Sequence, residues 1–222
     1  MTDYRTLRFN NLCSPEFRHL LLLLFWPVFG ILFALLERGG ITSGFHPMYS
    51  PIDDMIPFCE FFLPAYMFWF VFLVGGILYT LLCDVPAFRR MMYFIMVTYT
   101  ITVIIYFIYP TCQNLRPESF SRDNIFTRFM AGFYEFDTNT NVCPSIHVIG
   151  SVAVMLAAFD TRRFKTPGWK IAFAVMTALI CVSTVFLKQH SIIDVLAAIP
   201  VCLVGWYVTY KLTNREKQPV RQ

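Results

Sequence analysis

Charged side chains vanish from long stretches of this chain, and those stretches have the length of membrane-spanning helices. Residues 20–36 open with five leucines and carry no charge; 61–83 follow Glu60, and 91–109 are equally bare. In the second half, 144–159, 171–187 and 191–210 are again apolar. There His147 and Asp194 lie inside the runs, and Lys188 and His190 sit between the last two. A hydrocarbon core of roughly 30 Å takes about 20 helical residues to cross. No alternating barrel pattern is present, and backbone groups in lipid must be satisfied within their own segment. The pattern therefore predicts an all-α fold, a bundle of six transmembrane helices.

Composition agrees. Only 14% of residues are charged and 57% are hydrophobic, whereas about a quarter of a soluble domain is charged. A soluble enzyme or binding module is excluded, and nucleic acid is not an expected partner. The run 20–36 reads as a retained span rather than a cleaved signal. A signal's apolar region is about 7 to 15 residues long and ends at small residues, whereas this run is longer and ends in Leu35-Leu36-Glu37-Arg38.

Basic residues set the expected orientation. Thirteen of the eighteen fall on one side: Arg5, Arg8 and Arg18; Arg89 and Arg90; Arg162, Arg163, Lys165 and Lys170; Lys211, Arg215, Lys217 and Arg221. Both termini are therefore expected in the cytoplasm, with loops 37–60 and 110–143 outside. Arg89-Arg90 and Arg162-Arg163 read as topology determinants in turns. No linker or repeat divides the chain, which is expected to be one integral membrane domain, 1–222. Loop 110–143 is expected to hold a short helix on the membrane surface. Asn141 or Thr140 is the expected cap of the fourth span, with Pro144 in its first turn.

The ionisable residues of the spans are the candidate chemistry, because charge inside a membrane is costly. His147, His190 and Asp194 fall at the outer ends of their helices, and Arg116 hangs in the loop on the same side. His190 and Asp194 are spaced i, i+4, so the carboxylate can hold one imidazole nitrogen while the other acts as base or nucleophile. His147 can protonate a departing oxygen. Arg116 and Lys188 supply positive charge, and the helix start at Ser145 supplies a hydroxyl and backbone N–H groups, the donors that phosphoryl transfer needs.

Three blocks carry a resemblance: Arg116-Pro117 preceded seven residues earlier by Tyr109; Pro144-Ser145-Ile146-His147; and Ser183-Thr184, five residues, His190, three residues, Asp194. In order and spacing the chain resembles the type-2 phosphatidic acid phosphatase superfamily over roughly residues 58–210. The resemblance implies a phosphatase-like catalytic core there, in which His190 is the nucleophile of a phosphohistidine, Asp194 orients it and His147 is the general acid. It further implies that Arg116 and Ser145 hold phosphate and that neither metal nor other cofactor takes part. The family has lysine where Tyr109 stands and arginine where Thr184 stands; Lys188, one helical turn on, is the candidate replacement cation. The Ser-Thr variant is also similar to the branch containing inositol phosphorylceramide and sphingomyelin synthases, so headgroup transfer to an alcohol stands beside hydrolysis. The expected partners are a lipid phosphate or pyrophosphate and the bilayer. The expected location is a plasma membrane with the site facing outside, in a compact chain of bacterial type.

Other readings stand beside these. A transporter would use intramembrane His and Asp as an ion relay. Cys143, His147, His190 and Asp194 are ligand types that suit zinc. Cys112 and Cys143 would both lie outside, where they could pair. Asp53, Asp54 and Glu60 read either as helix-capping acids or as groups for a polar headgroup, and His19 and His46 read as surface residues.

Overall fold

The computed structural model describes residues 3–212, so Arg215, Lys217 and Arg221 of the charge pattern lie outside the described residues. Among those residues are eight α-helices: α1 (Phe25–Arg38), α2 (Pro51–Met55), α3 (Leu63–Cys83), α4 (Val85–Ile108), α5 (Ile125–Phe136), α6 (Ile146–Asp160), α7 (Pro167–Phe186) and α8 (Ile192–Trp206). Tighter 3-10 stretches lead into α1 (Arg18–Leu24) and α3 (Glu60–Phe62), and a π-helical stretch, Tyr207–Leu212, continues α8. With these extensions, five helices are long and apolar enough to cross a membrane: Arg18–Arg38, Glu60–Cys83, Val85–Ile108, Pro167–Phe186 and Ile192–Leu212. Their outward faces expose Ile31, Val71, Val74, Leu78 and Leu203, an apolar surface that water would penalise and lipid accepts. The chain is an all-α, multi-pass membrane protein.

The fourth expected span is the exception. α6 has 15 residues, about 22 Å of helix at 1.5 Å per residue, short for a bilayer. Its surroundings compensate, because α6 packs against α3, α4, α7 and α8 and buries Ile149, Gly150, Ala153, Val154 and Ala157. Protein rather than lipid lines it, so a polar first turn is tolerable. Close approach depends on a missing side chain at Gly150, where a Cβ would stand 2.8 Å from Tyr99 Oη and 3.1 Å from Trp69 Nε1. At Gly205 a Cβ would meet Thr98 Cγ2 at 2.4 Å, which lets α8 press on α4.

Helix starts follow local chemistry and correct several expectations. α4 begins six residues before the uncharged run, since the Asp84 carboxylate accepts from Ala87 N–H at 3.2 Å and Pro86 sits in the first turn. Arg89 and Arg90 are therefore inside the helix rather than in a turn, with Arg90 paired to Asp160 at the end of α6. The cap of α6 is Ser145, not Asn141 or Thr140, and Pro144 precedes the helix. Asn141 instead takes a left-handed backbone, φ 52°. His19 is 1% exposed rather than a surface residue, bonded to Tyr4 and packed edge-on against Phe88. His46 is exposed.

Two long loops frame the site end of the bundle. His46–Pro47 pairs in parallel with Thr111–Cys112, a two-residue exception to an all-helical chain that ties the α1–α2 loop to the segment after α4. Within the loop between α4 and α6, α5 is capped by Asn124, whose side chain accepts from Phe126 and Thr127 N–H while Thr127 Oγ1 accepts from Asn124 N–H. All seven cysteines are free, so Cys112 and Cys143 form no disulfide.

Candidate active site

The site is built on the turn between α7 and α8. After Phe186 the chain passes through Lys188 in a left-handed conformation, φ 51°, and the Thr184 carbonyl accepts from both Gln189 and His190 N–H (2.9 and 3.2 Å). That double bond to one carbonyl folds the chain back into α8. Ser191 caps α8 by accepting from Ile193 N–H, while Asp194 Oδ2 accepts from Ser191 N–H at 2.9 Å. The same oxygen reaches His190 Nδ1 at 3.2 Å. A cap and a catalytic contact thus share one carboxylate.

That sharing fixes the imidazole. A carboxylate only accepts, so His190 Nδ1 carries the proton and Nε2 presents its lone pair. Nε2 lies 3.2 Å from His147 Nδ1 in the first turn of α6, which makes His147 Nδ1 the donor. The His147 ring is held by Tyr66 and Trp69 of α3, centroids 4.8 and 4.4 Å away. Ser145 N–H donates to the Asp194 carbonyl at 3.1 Å, fixing the start of α6 against the start of α8. Asp194 of α8, His190 of the turn before it and His147 of α6 thereby form a continuous line.

Arg116 reaches this turn from the α4–α5 loop. Nη1 donates to the carbonyls of Tyr134 and Asp137, and Nη2 lies within 3.2 Å of the Thr138 carbonyl, Asp137 Oδ2 and Gln189 Oε1. The guanidinium also stacks 4.6 Å over Tyr134. Burial raises the Asp137 carboxyl above its ordinary range, against the opposing pull of Arg116. Arg116→Lys keeps the charge but offers three donors to five acceptors. It is expected to lower stability by about 2 kcal/mol or more, read from thermal unfolding of the purified protein in detergent.

The remaining sequence candidates are placed as follows. Ser145 is fully buried, its hydroxyl without a partner among the described residues. Lys188 Nζ donates to the carbonyls of Asp53 and Ile56 at 2.7 and 2.5 Å. Burial lowers its pKa, with the Asp53 and Asp54 carboxylates opposing. Tyr109 stacks on His46 at 4.1 Å and is half exposed, so its ring joins the loop pairing rather than the histidines. Thr184, in the family's arginine position, is buried and donates to the Cys181 carbonyl at 2.8 Å.

Sequence reasoning missed how much Asp53 does. It is 1% exposed and accepts from Ser191 Oγ (2.6 Å), Ile192 N–H (2.8 Å) and Ser50 N–H (2.8 Å), so it caps α2 and α8 at once. Of the other two acids, Glu60 takes Arg122 and Asn124, and Asp54 takes Tyr49. Among the described residues no three His, Cys, Asp or Glu are placed to hold a metal ion. Burial and the neighbouring Asp194 push the Cys143 thiol up to about 12.

A family model described as the PAP2 superfamily matches residues 90–218, more than half of the chain. The chain belongs to the type-2 phosphatidic acid phosphatase superfamily. This is a superfamily of lipid phosphatases and phosphotransferases. Searches of curated proteins and of solved structures returned no match. In this superfamily member the matched stretch contains Arg116, Ser145, His147, His190 and Asp194. The side chains that close around them, Asp53, Tyr66 and Trp69, come from the part of the chain that precedes the match.

Proposed function

We propose that the protein hydrolyses a lipid phosphate monoester or pyrophosphate through a phosphohistidine on His190. The observation that carries this is the line of contacts Asp194 Oδ2, His190 and His147, each step 3.2 Å. His190 Nε2 attacks phosphorus as the bond to the lipid oxygen breaks, and the His147 proton goes to that oxygen. Water then attacks the phosphohistidine as the P–N bond breaks, giving up a proton to His147 and releasing phosphate and free His190. Asp194 keeps the attacking tautomer and stabilises the charged ring. In the free enzyme the two rings are bonded to each other, so the phosphoryl group enters by separating them.

Arg116 and Ser145 hold phosphate in this scheme, and Lys188 adds charge from behind the turn while its Nζ anchors the 53–56 segment. Tyr109 acts only at the rim. The placement in the cell follows the charge asymmetry: six spans with α6 the fourth, termini cytoplasmic, α5 at the membrane surface and the site facing outward from a bacterial plasma membrane. Residues 58–210 form the catalytic core.

Headgroup transfer to an alcohol is the second reading. A cavity of about 460 Å³ beside Arg116, lined by Glu37, Thr42, Asp137, Thr138 and Thr140, offers hydroxyls and carboxylates that suit a hydroxyl-bearing acceptor. The test is phosphate release from a panel of lipid phosphates and pyrophosphates by purified protein in chelator, with and without added alcohol. Release without alcohol is the expected result. A phosphorylated alcohol appearing without free phosphate establishes transfer, and neither product from folded protein overturns both readings.

A further inference from the structure

Gln189 is the last of the five unspecified residues in the third sequence block, immediately before the nucleophile, and its side chain bonds Arg116. It is 3% exposed, precedes His190 in the chain, and its Oε1 accepts from Arg116 Nη2 at 2.8 Å. A guanidinium only donates, so the amide oxygen has to face it and Nε2 has to point the other way. That Nε2 finds no acceptor among the described residues. Buried amide donors are almost always paired, and one that is not calls for an explanation.

Two more buried donors of the same constellation share this condition, Ser145 Oγ and Arg116 Nε. The three are physically tied together: Arg116 is bonded to Gln189, Gln189 is followed by His190, and Ser145 is held by its N–H to Asp194. A tetrahedral oxyanion accepts from several such donors at once. Meanwhile Thr184, in place of the family's arginine, spends its hydroxyl on the Cys181 carbonyl, and Lys188 turns two of its three ammonium donors to the Asp53 and Ile56 carbonyls. Gln189, with Arg116 and Ser145, keeps a donor to give on this side of the site.

We propose that Gln189 Nε2 donates to a phosphoryl oxygen, taking the place of a cationic donor, while Gln189 Oε1 holds Arg116 so that its Nε faces the same group. Gln189 is thus a catalytic residue that also positions another. The inference rests on the phosphoryl-transfer reading above.

The test is binding of orthovanadate, a mimic of the phosphoryl transition state, to detergent-purified protein, followed by thermal shift beside kcat/KM. Gln189→Glu keeps an acceptor for Arg116 but turns the other oxygen, an acceptor, toward the anion. Unliganded melting is expected to hold or rise, while vanadate affinity and kcat/KM both fall by about tenfold or more. Gln189→Met, neutral and of similar length, is expected to weaken vanadate by about threefold to tenfold and answers the question should the glutamate variant not fold. Folded variants that bind vanadate within about twofold of wild type overturn the assignment of Gln189 alone. Wild type that neither binds vanadate nor releases phosphate overturns the phosphoryl-transfer reading and this inference with it.

Discussion

His190→Ala is expected to abolish phosphate release and phosphoenzyme formation together, with kcat falling by at least about a thousandfold, the scale on which removal of a nucleophile is felt. A phosphohistidine is labile in acid and stable in alkali, so rapid quenching in base with a labelled lipid phosphate separates it from a phosphoester. Wild type should show the label and the variant none. His147→Ala should also be slow, but through loss of the proton donor. It therefore should recover most on substrates whose leaving group is already a good one, such as an aryl phosphate, whereas His190→Ala should recover on none. Folding is checked by the melting transition in detergent. The 3.2 Å bond between the two rings makes the pair of variants informative, since either one frees the other ring. Label retained in folded His190→Ala would move the nucleophile elsewhere and sink the scheme.

How the site comes together explains what the sequence could and could not reveal. Five long spans are legible because a bilayer demands unbroken apolar runs, but the ends of those runs are not the ends of the helices: α4 starts at the Asp84 cap, and Arg89 and Arg90 hide its first turns from a reading by charge. His190 and Asp194 are one helical turn apart, and their contact needs no knowledge of the fold. The contact of His147 with His190 spans 43 positions; the sequence places both rings at the outer ends of their helices but does not show that they meet. Asp53 and Ser191 are separated by 138 positions. The capping-box spacing from Ser50 marks Asp53 rather than Asp54 as the cap of α2, but nothing local shows that Asp53 also caps α8 while Asp54 holds a surface tyrosine. His19 reads as a surface residue in the sequence, but Tyr4, folding back, covers it. The short α6 shows the opposite effect: composition marks it as a span, and only packing reveals that neighbouring helices rather than lipid surround it.

Asp53→Ala is expected to cost more stability than the loss of any surface ion pair in the protein. The carboxylate is 1% exposed and serves Ser191 Oγ, Ile192 N–H and Ser50 N–H. Removing it strands the buried Ser191 hydroxyl and uncaps two helices, and at roughly 1 to 3 kcal/mol per stranded buried group the sum is about 3 kcal/mol or more. By contrast the exposed Arg128–Asp123 pair falls in a class where deletion changes little. The consequence for chemistry is specific. Asp53 fixes the first residues of α8, and Asp194 uses that same turn to hold His190, so slack at Ser191 loosens the nucleophile. The folded fraction of Asp53→Ala is therefore expected to lose kcat while retaining KM within about threefold, since groups that position without touching substrate act on the chemical step. Lys188 grips the same segment through the Asp53 and Ile56 carbonyls, so Lys188→Met should destabilise in the same direction. A double variant should then cost less than the two single ones added, because each strands part of what the other holds. Thermal unfolding of all three variants in one detergent measures this. Additive losses would mean that Lys188 acts independently of the Asp53 clasp, and an unchanged kcat in folded Asp53→Ala would separate the start of α8 from the alignment of His190.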